Sequence, residues 1–74
     1  MKNLVVEFKY RRIDRAMLDQ IVGNSFRNNL TPPSDIIIKC KSATRTAYKA
    51  AEEYKKSQNV NVYIDPSLSS YEDL

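Results

Sequence analysis

The residues best suited to chemistry in this sequence are cations. Lys9, Arg11 and Arg12 lie in "KYRRIDR", and Lys39, Lys41 and Ser42 follow an isoleucine run in "IIIKCKSATRTAY". Each group sits where an extended segment passes into a helical one. If the two extended segments are parallel strands, both groups gather at the carboxyl end of the sheet, where ligands favour binding. Two helix N-termini, near Asp14 and Ser42, would start there too, offering free N–H groups and a partial positive charge. Arg15 and Arg45 stand close by. Such a cluster suits an anion, a nucleic-acid phosphate above all. The plainer alternative is that strand lysines keep an uncovered strand soluble and block edge pairing, with Asp14 and Asp65 offsetting part of the charge. A net charge of +3 over 74 residues does not decide between them.

Other chemistry finds little footing. The sequence has no His, which removes the commonest general base and the usual Cys-His and Ser-His pairs. One Cys and scattered acids give no metal-ligand spacing, and no phosphate-binding or dinucleotide fingerprint is present. Cys40 falls on the core side of its strand and is expected to act as a small hydrophobe. The chain is therefore expected to be non-enzymatic, without metal or cofactor. A lone Cys cannot form an internal disulfide, which suits the cytoplasm. "MKNLVVEFKYRR" turns charged too soon for a secretory leader, and no apolar run approaches membrane length.

The elements that must position these residues follow from periodicity. Residues 3–11 alternate, with Leu4, Val6, Phe8 and Tyr10 on one face and Val5, Glu7, Lys9 and Arg11 on the other. From Ile13 the period becomes helical: Ile13, Met17, Leu18, Ile21 and Val22 share one arc. Gly23 and Asn24 could cap this helix, or "SFRNNL" could extend it, before "TPP" stops it. Residues 35–41 form a second strand, with Ile36, Ile38 and Cys40 opposite Ile37, Lys39 and Lys41. Ser42 is the expected N-cap of a second helix reaching about Lys56, with Ala43, Ala47, Ala50, Ala51 and Tyr54 on its inner stripe. Residues 59–64 form a third strand that turns Val60, Val62 and Ile64 inward. Residues 1–66 are thus expected to make one domain, and 67–74 a polar, acidic, flexible tail.

The expected fold is a small α/β (or α+β) domain of β-α-β-α-β order. Right-handed crossovers with both helices on one apolar face require the strand order 1-2-3. The other face is then open, which is uncommon for a parallel sheet. In this reading the open face holds Val5, Ile37 and Tyr63 inside a rim of lysines. An apolar centre with a charged rim fits a protein partner. Tyr48 with Arg45 on the second helix is another candidate contact. The expectation is a small stoichiometric binder of a protein, of the regulator or inhibitor type that phages and other mobile elements produce. The alternative is a nucleic-acid module using Lys9, Arg11, Arg12, Lys39, Lys41 and Ser42. Tyr63 alone is a thin stacking platform for bases. A homodimer through the open face is compatible with either.

Overall fold

A computed structural model describes residues 3–68. It contains β1 (Leu4–Ile13), α1 (Arg15–Arg27), β2 (Asp35–Ala43), α2 (Arg45–Gln58) and β3 (Asn61–Asp65). The strands form one parallel sheet in the order β1-β2-β3. This is the small α/β domain that the alternation of strand and helix periods implies. The expected tail lies outside the described residues from 69 onward; Leu68, the last described residue, is buried.

The core forms between the helices and one sheet face. Ile36, Ile38 and Cys40 of β2 are fully buried against Leu18, Ile21 and Val22 of α1 and Ala47, Ala50 and Ala51 of α2. Val60 closes the cluster beside β3, with Val62 and Ile64 packed against it. The stripe of Ala47, Ala50 and Ala51 keeps the first turns of α2 free of bulky side chains on their inner side, and Tyr54 packs against the core beyond it. Arg45, Lys49, Glu52 and Lys56 are exposed on its outer side.

Local chemistry sets the helix ends. Asp14 caps α1 by accepting from the Met17 N–H at 2.9 Å. The helix does not stop at Gly23. It runs to Arg27, because Ser25 is buried and donates to the Ile21 carbonyl at 2.9 Å while Phe26 packs on the core. Ser42 is not the cap of α2. Ser42 and Ala43 remain in β2, and Thr44 caps the helix by accepting from the Ala47 N–H at 3.2 Å. The cause is long-range pairing. β1 extends through Ile13, which pairs with Ala43, and the Thr44 N–H donates to the Ile13 carbonyl at 2.9 Å. Ile13 is accordingly a buried strand residue and not the first residue of the helix face. Asn59 ends α2 in the left-handed region at φ 55°, a conformation Asn tolerates, and its N–H donates to the Lys55 carbonyl at 3.2 Å.

The two helices are tied by a polar network at their solvent side. The Tyr54 hydroxyl donates to Asp19 Oδ1 at 2.6 Å, and Arg15 Nη2 donates to Glu53 Oε2 at 2.9 Å. Burial, then the hydrogen bond to Asp19, pushes the Tyr54 pKa from 10.0 up to about 12. An unfolded tyrosine loses its proton near 10, whereas the folded one holds it to about 12. The contact therefore contributes fully below pH 10 and fades as pH rises through that window. Thermal melts between pH 10 and 12 should show stability falling more steeply for the native sequence than for Tyr54→Phe. Parallel slopes would count against the contact.

Candidate functional site

The sheet face opposite the helices is uncovered among the described residues, as the alternation of the strands implies. Its composition differs from expectation at β1. Val5 pairs with Ile36 and packs against the core, so it is not an open-face residue. Glu7 pairs with Ile38 and Lys9 with Cys40, which places both on the helix side. Leu4, Val6, Phe8 and Tyr10 point outward instead, at 56, 42, 51 and 63% exposure.

The reason lies in the position of β1 at the sheet edge. The buried core lies over β2, between α1 and α2, and α1 makes little contact with β1. A groove between them is lined mostly by polar side chains, Glu7, Lys9, Gln20, Asn24 and Asn28 among them, together with Val5, Met17 and Ile21. Water reaches this groove, so charged side chains on the inner face of β1 need not be desolvated. Alternation reveals two faces of a strand, but only the surrounding packing decides which one turns inward.

The register lays the open face out in rows across the sheet. Val6, Ile37 and Tyr63 form an apolar central row. Phe8, Lys39 and Asp65 form the next, where Lys39 Nζ lies 3.0 Å from Asp65 Oδ2. On the other side Leu4, Asp35 and Asn61 line up, and Asn61 Nδ2 donates to Asp35 Oδ1 at 2.8 Å. The centre is thus bounded on β2 and β3 by two polar cross-links. Along β1 the apolar stripe runs on without interruption from Leu4 to Tyr10. Hydrogen bonds from Lys39 and then Ser67 hold the Asp65 carboxyl below its ordinary range, so it is ionised at neutral pH and offsets the Lys39 charge.

The anticipated cation cluster is divided. Lys39 and Lys41 stand on the open face, Lys9 lines the groove on the helix side, and Arg11 and Arg12 are exposed where β1 bulges between Lys9 and Arg12. Ser42 belongs to β2, so its hydroxyl does not mark a helix N-terminus. Tyr48 is exposed and borders a second groove with Lys55 and Tyr63, which brings the two tyrosines to one flank of the molecule. Arg45 is exposed on α2 but does not line that groove.

Four residues escaped the sequence argument: Leu4, Val6, Phe8 and Tyr10. Their stripe was legible, but its direction was not. Burial pushes the Cys40 thiol above its ordinary pKa, which keeps it protonated inside the core. Among the described residues no cluster of three or more His, Cys, Asp or Glu side chains could hold a metal ion, and no helix is long and apolar enough to cross a membrane. Comparisons with protein-family models, curated proteins and solved structures return no match.

Proposed function

We propose that this chain is a non-enzymatic binding protein that captures a protein partner stoichiometrically on its open sheet face, as a small regulator or inhibitor does. The observation that carries this reading is the outward stripe Leu4, Val6, Phe8 and Tyr10, continued across the sheet by Ile37 and Tyr63. A contiguous apolar patch of this kind with a polar border marks an interaction surface. The aliphatic members matter to the assignment: Val6 and Ile37 offer shape and burial, which a protein surface can match, and no hydrogen-bonding edge for a base. A reducing cytoplasm is the setting that suits its one buried thiol.

A second reading draws on the same face. Phe8, Tyr10 and Tyr63 supply three rings beside Lys39 and Lys41, a combination that can stack the bases of a single strand. The pairing of Lys39 with Asp65 weighs against it, because an ionised carboxylate on the platform repels phosphate.

Affinity capture from lysate with and without nuclease separates the two. The expected result is one protein retained after nuclease and lost when the bait carries Ile37→Asp. Ile37 lies on the open face, so the variant should remain folded by circular dichroism. A capture that nuclease abolishes, or that Ile37→Asp leaves intact, would overturn the protein-binding assignment.

A further inference from the structure

We propose that a second copy of this chain pairs with it antiparallel along the outer edge of β1, in one register fixed by Glu7 and Lys9. β1 is the long edge of the sheet, ten residues against five in β3, and only its inner side is paired, with β2, among the described residues. An edge strand presents a row of free N–H and C=O groups to any matching strand. Proteins commonly guard such edges with an inward-pointing charge, which would be buried against its own copy. β1 carries two such charges of opposite sign, two residues apart on the same face. Among the described residues neither Glu7 nor Lys9 has an ion-pair partner. A lone charge repels its copy; this pair complements it.

The geometry restricts the choice of register. In a continuous antiparallel sheet, residues opposite each other share a face, so a twofold axis must pass through a residue and not between two. An axis at Glu7 sets Glu7 against its own copy, and an axis at Lys9 does the same for Lys9. An axis at Val6 leaves both charges opposite apolar or uncharged neighbours. An axis at Phe8 sets Glu7 opposite the second copy's Lys9 twice, stacks Phe8 on Phe8, and sets Val6 against Tyr10. Opposite charges and aromatic or β-branched pairs are the favourable cross-strand combinations. The bulge between Lys9 and Arg12 then ends the pairing. The axis stands perpendicular to the sheet. Both helix layers therefore stay on one side, and the two apolar stripes lie side by side on the other. The result is a six-stranded sheet whose open platform is twice as wide. This surface is the strand edge and not the open face, so its test reads out separately from partner capture.

Sedimentation of the full chain at rising concentration should show a species of twice the 8.6 kDa chain mass. Glu7→Lys and Lys9→Glu, each alone, place like charges opposite each other twice and should weaken self-association by about tenfold to a hundredfold. Mixing the two variants should restore a dimer, because each then meets the opposite charge at both positions. A native chain that stays at 8.6 kDa throughout, a dimer that survives either reversal, or a mixture that stays monomeric would overturn the proposal. Hydrogen exchange on the unsubstituted chain gives an independent check. Amides in residues 6–10 should gain protection with concentration, and unchanged protection there would also overturn it.

Discussion

Replacing Ile38 by Ala should cost about 2–5 kcal/mol, toward the upper end of that range, and leave the domain largely unfolded in mild urea. Ile38 is fully buried at the centre of β2, between Glu7 on one neighbouring strand and Ile64 on the other. The cost of a cavity depends on how far its walls can close. Here the α2 wall is made of Ala47, Ala50 and Ala51, which have no longer side chain to rotate into the gap. Domains of this size have about 5 kcal/mol of stability or somewhat more, so one such cavity removes a large share. Phe8→Ala removes a larger side chain and should cost no more than about 1 kcal/mol, because Phe8 faces away from the core and loses only cross-strand contact. Urea midpoints for the two variants give the comparison directly. A Phe8→Ala variant as unstable as Ile38→Ala would mean that Phe8, and with it the stripe, faces inward.

That comparison bears on what the sequence could and could not reveal. The order of elements, the strand order and the open face were legible because they follow from periodicity and connection rules that act along the whole chain. The inner faces of β2, α2 and β3 were legible because each has a clear apolar side: Ile36, Ile38 and Cys40; Ala47, Ala50 and Ala51; Val62 and Ile64, with Val60 just ahead of β3. β1 has an equally clear apolar side, and it turns the other way. The rule that apolar residues face inward assumes that the inner side is dry. At the outer edge of β1 the groove beneath α1 is lined mainly by polar side chains, with Val5, Met17 and Ile21 among them, so the assumption fails there for Glu7 and Lys9. The cap of α2 was misplaced for a related reason. Ser42 and Thr44 are both good caps, and the choice depends on Ile13 and Ala43 pairing across some thirty residues of chain. Both errors arise where a tertiary contact settles a question that local sequence leaves open. Both fall on β1 or where it pairs with the end of β2, beside the open face.

With a captured partner in hand, Phe8→Asp should weaken binding by roughly thirtyfold or more, the loss expected when a central aromatic anchor is replaced by a charge. Phe8 is suited to that role because it sits midway along the stripe, with Val6 and Tyr10 flanking it on β1 and Lys39 beside it on β2. Loss of binding alone would not identify the partner class, since a carboxylate also repels a phosphate backbone. Phe8→Leu separates the classes. Leucine keeps most of the apolar volume but has no ring face. A protein interface values Phe8 for area and fit, so a replacement that keeps most of the apolar volume should cost less than about 1.5 kcal/mol, or about tenfold. A base stacked on the ring would lose about 1–3 kcal/mol, with Tyr10→Leu and Tyr63→Leu behaving alike. Salt gives the second axis. Affinity carried by burial of the stripe should change little with ionic strength, whereas affinity carried by phosphate contacts falls steeply as counterions are released. Calorimetric titration of the native chain, Phe8→Asp and the three leucine variants at two salt concentrations reads both axes. Tolerance of leucine with a flat salt response is the outcome expected of a face on which Val6 and Ile37 contribute as much contact as the rings. Large losses from all three leucine variants, together with a steep salt response, would transfer the face to single-stranded nucleic acid.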